Sequence, residues 1–290
     1  MNIHVCVARG LCLIGVLGIV ACGSDGDGRS QGKSSGLADG ETEARVDVLT
    51  AKHVTTGQFA MAWFTKGRSY GPGSKCTESQ EGSCTLTSCE AFDQENPPHP
   101  PISFSAGPIA LSGAKIPANV ALQPGDENIY RNWWSNDVAW VGGESIRIVA
   151  AGAADGVPAF EALLPAPSLI TLTKPYWGLG SLAVDRSKDL ELAWTHSGAA
   201  SGTLNVRLSG GSQDFRTSHA VVCAFPMEND AAVVPASVLG KIRPTALGSI
   251  AIETAERQTV VAGSWHVNVS LRTEGAQKDG LSSSGSANFQ

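Results

Sequence analysis

Beyond residue 22 the chain has no apolar run approaching the roughly 18 residues that a membrane-spanning helix requires. It also lacks a basic cluster. Lys and Arg number 21 against 27 Asp and Glu, for a net charge of −6, which makes nucleic acid a poor partner. Beyond the Gly/Ser-rich segment that ends at residue 45, recognised catalytic motifs are missing too: there is no G-x-S-x-G, no H-E-x-x-H, no G-x-x-x-x-G-K-[ST] and no G-x-G-x-x-G opening a helix. Residues 71–75 (GPGSK) have the glycines of a phosphate loop without its spacing, and Ser30-x-x-Lys33 lies where no rigid scaffold would hold a nucleophile. The six histidines offer no pair at metal spacing. His219 and Cys223 would be about 13 Å apart on a strand, too far to share an ion. The cysteines at 76, 84 and 89 lack the tight C-x2-C pairs of structural zinc modules. No metal, no cofactor and no catalytic residue is therefore expected. Tyr and Met are scarce at three each, whereas Trp reaches seven, so the aromatic content that exists is concentrated in indoles.

What is present begins at the N-terminus. Arg9 and the free amino group precede an apolar run of about ten residues, 11–20 (LCLIGVLGIV), too short to cross a bilayer and built like a secretory signal. It ends in Ile19-Val20-Ala21-Cys22, which resembles the lipobox of bacterial lipoproteins. That resemblance implies removal of residues 1–21, diacylglycerol and palmitate-type acylation at Cys22, and attachment to a membrane through lipid. By analogy with enterobacterial sorting, Gly23 in place of Asp implies the outer membrane. Loss of Arg9, the only charged side chain ahead of Cys22, takes the net charge from −6 to −7. Residues 22–45 are rich in Gly, Ser and Asp and nearly free of large apolar groups, so they read as a disordered tether that cannot offset its ordering entropy.

Once Cys6, Cys12 and Cys22 are set aside, Cys76, Cys84, Cys89 and Cys223 remain, an even number for an oxidising compartment. Cys84 and Cys89 are separated by an odd offset and would face opposite sides of one strand. Cys76 is expected to bond to one of them. Cys223, within AVVCAF, is expected to remain a buried free thiol.

From residue 46 the pattern is that of strands. Short apolar runs at 58–64, 85–88, 109–111, 120–122, 145–150 and 169–172 are separated by Gly, Pro, Asn or Asp. Leu190, Leu192 and Trp194 alternate with polar residues, as do Leu204, Val206 and Leu208. With HSGAASG between them, the two runs predict a hairpin. Trp265, Val267, Val269 and Leu271 predict a further half-buried strand, and residues 236–241 a short helix entered through Pro235. The fold class expected is all-β: two β-sandwich-like domains, 46–172 with the cysteines and 173–274, then a polar tail at 275–290. Trp194, Val206, Leu208, Val267 and Val269 are expected in the core of the second.

GGESIRIVAAGAADGVPAFEALLPAPSLITLTKP, DLELAWTHSGAASGTLNVRL and HAVVCAFPMENDAAVVPASVLGKI together resemble a group of uncharacterised envelope lipoproteins of delta-proteobacterial, especially myxobacterial, type. The pattern covers roughly residues 58–272. Its most specific pieces are VPAF with APSLITLT, the strand bearing Leu192-Ala193-Trp194, and the segment 223–236. The resemblance implies β-sandwich domains, lipidation and an envelope location, and it favours a disulfide over a metal at 76–89. It implies no activity.

One segment invites a ligand. In 129–140 (IYRNWWSNDVAW), Tyr130, Trp133, Trp134 and Trp140 are interspersed with Arg131, Asn132, Asn136 and Asp137, and Asp126, Glu127 and Glu144 flank it. Ring faces with amide and acid groups suit sugars. Trp133 and Trp134 would point to opposite faces, so at most one joins a core there. The plainer alternative is one core indole and one that covers a loop. The functional expectation is thus a lipid-anchored envelope protein with a binding or structural role and a glycan or envelope protein as candidate partner. A glycan-binding protein or a carboxylate-dependent hydrolase using 126–144 is the alternative.

Overall fold

The structure, a computed structural model, describes residues 42–51, 58–66, 76–90, 102–134, 139–211 and 217–290. Cys22, the signal segment, the tether up to residue 41 and Asp137 lie outside the described residues. In chain order the strands are β1 Thr42–Ala51, β2 Gln58–Lys66, β3 Cys76–Glu81, β4 Cys84–Glu90, β5 Ile102–Ser103, β6 Ile109–Ser112, β7 Ala121–Leu122, β8 Tyr130–Trp134, β9 Ser145–Ala150 and β10 Phe160–Pro165. They continue with β11 Leu169–Lys174, β12 Leu182–Val184, β13 Leu190–Ser197, β14 Thr203–Gly211, β15 Thr217–Pro226, β16 Ala231–Val234, β17 Thr245–Ala262, β18 Trp265–Glu274, β19 Ala276–Gln277 and β20 Ser284–Phe289. Among the described residues there is one α-helix, α1 Ala236–Leu239, which follows Pro235. The chain is all-β and sandwich-like.

A 12-stranded sheet runs in the order β3-β4-β15-β14-β17-β18-β1-β2-β5, with β8, β12 and β20 paired at its margins. Two 4-stranded sheets, β10-β9-β6-β7 and β16-β13-β11-β19, complete the fold. The key element is β17. Its 18 residues pair with β14 near one end and with β18 near the other. Strand side chains alternate faces, so its even-numbered residues share one side. Ile250 and Ile252 enter one apolar cluster, while Ala262 enters the other with Val260 packed against it. Both small sheets therefore cover the same face of the large one, forming two sandwiches that share a sheet.

The polar junction between the two clusters is fully satisfied. Thr254 Oγ1 donates to the Ser168 carbonyl at 2.6 Å, and Trp140 Nε1 donates to Thr273 Oγ1 at 2.9 Å. All four residues are fully buried. Each donor has an acceptor, so the boundary avoids the cost of orphaned buried groups.

Trp194, Val206, Leu208, Val267 and Val269 are all buried, as their alternation requires. They do not share one core, however. Val267 and Val269 join Val46, Phe64 and Trp140, whereas Trp194, Val206 and Leu208 join Val221 and Ile252. The expected hairpin is also absent. β13 pairs with β11 and β16, and β14 pairs with β15 and β17. Residues 198–202 carry the chain from one sheet to the sheet facing it, turning through Gly198 and Gly202 at φ +80° and +90°, which glycine adopts without strain. Alternation reported which face is buried, and both strands do face one core, but from opposite layers.

The outer limits of the fold also differ from expectation. β1 begins at Thr42, inside the segment read as tether. Residues 275–290, read as a polar tail, contribute β19 and β20, and Ala287 and Phe289 are buried in the second cluster.

Candidate functional site

The aromatic segment divides between the two faces of the large sheet. Tyr130 is fully buried, and its hydroxyl accepts the Ala106 amide at 2.7 Å. Trp134 is buried on the same side, and Trp140 belongs to the core junction. Trp133 alone points outward. It is 48% exposed and lies against Phe59, with ring centroids 4.1 Å apart. Asp126 and Glu127 sit on an exposed single turn. Glu144 caps its own turn, its Oε2 accepting the Val141 amide at 2.6 Å.

Trp133 leads to a feature the sequence did not suggest. Cross-strand register places Trp133 beside Phe59 and Arg131 beside Met61, and on the next strand Asp47 beside Met61 and Arg45 beside Trp63. Register then carries the face onward, from Arg45, Asp47 and Leu49 to Asn268, Ser270 and Arg272 on β18. From there it reaches Arg257 opposite Ser270, Glu253 on β17, and Asn205 opposite Glu253 on β14. All these residues occupy the outward phase, opposite both cores. An outward phase is ordinarily small, polar and wet. Here Asp47, Asn205, Glu253 and Ser270 are at least nine-tenths buried beneath long arginine side chains.

The charges are ordered. Arg45 Nε lies 2.7 Å from Asp47 Oδ2, and the same guanidinium stands 5.6 Å from the centroid of the Trp63 ring. Arg272 grips Glu253 through both oxygens, with Nε to Oε1 at 3.0 Å and Nη2 on Oε2. Burial opposes ionisation of Glu253, but Arg272, Arg207 and Arg257 outweigh it and hold the carboxyl below its usual range. Arg272 is raised in turn by Glu253. Arg207 is lowered, first by burial and then by its arginine neighbours. Asp47 Oδ1 and Ser270 Oγ, neighbours across the β1–β18 ladder, are buried without hydrogen-bond partners.

At the far edge, two disulfides staple β3, β4 and β15. Cys76 bonds Cys89, and Cys84 bonds Cys223. The first pairing is one of the two expected for Cys76. The free thiol expected at Cys223 is corrected: Cys84 faces the core, opposite Cys89, and register sets it directly across from Cys223. The odd offset between Cys84 and Cys89 is the physical reason, because it turns them to opposite faces of β4, so that Cys89 shares the outer face with Cys76 on β3 and Cys84 shares the core face with Cys223 on β15. Among the described residues, no group of three His, Cys, Asp or Glu is placed to hold a metal ion.

Histidine chemistry is sparse. His219 Nδ1 meets Ser88 Oγ at 3.0 Å, its Nε2 is buried without a partner, and its basicity is lowered by burial and by Arg243. His196 Nε2 lies 3.7 Å from Asp230. No family model matches the chain, and no curated protein matches it.

Proposed function

We propose that this chain is a lipid-anchored protein of the cell envelope, held at the outer membrane through Cys22, that binds a partner on the outward face of its large sheet and turns over no substrate. The observation that carries the reading is the composition of that face. Aromatic rings at Phe59, Trp63 and Trp133 adjoin a buried arginine and carboxylate network, where a merely solvated face would carry short polar groups. The dispersed carboxylates at 126, 127 and 144 support binding over hydrolysis, since Glu144 is committed to its own turn. The anchor rests on the sequence 19–22, and the outer-membrane address on Gly23.

The test has two parts. Intact-mass analysis of the membrane-extracted protein should find a lipid-modified Cys22 as residue one, and an unmodified Cys22 in membrane-bound material would refute the anchor. For the binding role, the Cys22→Ser protein, released from lipid, should still be retained by washed envelope fragments and lose that retention on Trp133→Ala. Retention that never occurs, or turnover of glycan or ester panels abolished by Glu144→Ala, would overturn the reading.

A further inference from the structure

Resting on that reading, we infer that the outward face of the large sheet binds an acidic polysaccharide, with the sugar acid seated over Asp47, Ser270 and Arg257 and a ring face packed on Trp63. Three observations converge on this chemistry.

The first is charge. Among the described side chains, Arg45, Arg131, Arg207, Arg257 and Arg272 share the face with three acids, Asp47, Glu253 and Glu274. Five against three is an excess of two positive charges on a chain whose net charge is −6. A local field of sign opposite to that of the whole molecule steers anions to this face. It argues against a neutral sugar as the primary ligand.

The second is unmet hydrogen bonding. Arg45 occupies one oxygen of Asp47, and the other is left buried and unpaired beside the unpaired Ser270 hydroxyl. A carboxylate oxygen needs a donor, and a serine hydroxyl takes either role. Two adjacent hydroxyls of one sugar meet both needs. A phosphate or a bare carboxylate brings no donor for Asp47, which separates a polyhydroxylated anion from a simple one. Arg257, exposed and directly across the ladder from Ser270, is placed for the acid group, where its planar fork can bind both oxygens.

The third is the aromatic row. Trp63 lies half-buried under Arg45, and Phe59 and Trp133 stack farther along the same face. Trp63 and Phe59 are four residues apart on β2, about 13 Å at strand rise. The row therefore spans more than one sugar ring and suits a polymer better than a monosaccharide. A lipid headgroup would present charge without successive apolar ring faces.

The experiment uses the full mature chain in a detergent without a sugar headgroup. Calorimetric titration with oligogalacturonate is run at low and high salt, beside neutral dextran and anionic phospholipid vesicles. Oligogalacturonate should bind and weaken with salt, and dextran should not bind. Arg257→Gln should weaken binding about tenfold, the loss expected for one charge-assisted contact. Arg257→Lys should recover most of it, and Trp63→Leu should cost about tenfold by removing the ring platform. Arg257 is exposed, so its variants should melt with the parent, and this checks that any loss is local. Equal binding of dextran, binding to vesicles alone, or indifference to both Arg257→Gln and Trp63→Leu would overturn the inference. If oligogalacturonate is silent while envelope fragments still retain the protein through Trp133, only the ligand class fails. If neither binds, the binding role fails with it.

Discussion

Removing the core disulfide should cost this protein more than removing the edge one, although both close on the same strand. Cys84–Cys223 spans a sequence separation of 139, and Cys76–Cys89 one of 13. In the chain-entropy treatment, a cross-link removes about 2.1 + 1.5R ln n cal/mol/K from the unfolded ensemble, which at 25 °C gives about 5 kcal/mol for the long loop and about 3 kcal/mol for the short one. Both are upper estimates, because residual structure in the unfolded chain already lowers its entropy. The paired replacements Cys84→Ala with Cys223→Ala, and Cys76→Ala with Cys89→Ala, avoid leaving a thiol to reshuffle. Packing adds to the gap, because Cys84 and Cys223 are both buried in the second apolar cluster. With a guanidinium slope of about 5 kcal/mol/M, the midpoint should fall by about 1 M for the long loop and by about 0.6 M for the short one. Equilibrium unfolding of the oxidised proteins, with non-reducing peptide maps to fix the pairing, measures both. Equal losses, or a larger loss from the edge pair, would refute the argument that loop length in the unfolded state governs the difference.

Graded reductant should open Cys76–Cys89 first, because its sulfurs lie on a half-buried edge hairpin while Cys84 and Cys223 are in the core; timed alkylation with peptide mapping reads the order. Glu253 has a depressed carboxyl pKa, so the unfolded chain takes up its proton first. The stability it contributes should be complete above the ordinary Glu value of about 4.3 and should fade as the pH drops through the folded value. Glu253→Gln should flatten that part of the profile while costing about 3–5 kcal/mol near neutrality by leaving Arg272 buried and unpaired, as chemical unfolding from pH 7 to 3 would show. His219 has a lowered pKa, so again the unfolded chain protonates first. Stability should rise with pH up to about 6.5 and then level, and His219→Gln should remove that slope.

Much of the fold was legible because burial writes itself into alternation. Leu192 with Trp194, Leu204 through Leu208, and Trp265 through Leu271 each announced a strand and its inward face. What alternation does not carry is the identity of the partner, and so β13 and β14 looked like a hairpin when they belong to facing layers. Two strands were understated for a different reason. In β17 only Ile250 and Ile252 stood out, because the segment from Glu256 to Thr259 is polar on both phases. In β20 only Ala287 and Phe289 are apolar amid Gly and Ser, yet both are buried. Cys223 sat in an apolar run that reads as core, and nothing local shows that a sulfur 139 residues away lies opposite.

The candidate site was the least legible part. Its residues stand at 45, 47, 63, 207, 253, 257, 270 and 272, and all but Trp63, whose phase on β2 also holds Phe59 and Met61, lie on the polar phase of their own strands, where solvent is the default expectation. Only the ladders bring them onto one surface. Of the residues suggested by the sequence, Trp133 lies on that surface, while Tyr130, Trp134 and Trp140 are spent on packing.

The placement of β1 bears on how the molecule carries load. It is the first strand among the described residues, yet it lies inside the sheet, laddered along its length to β18 on one side and β2 on the other. A pull on the chain ahead of Thr42, directed along the strand, bears on both ladders at once and in shear. Every rung must fail together, whereas a strand peeled from an edge surrenders its rungs singly. On the binding role proposed above, drag on a ligand at the outer face would pass through Arg45 and Asp47 into this same strand, and the path of force from the N-terminal segment to that ligand would cross two ladders loaded in shear.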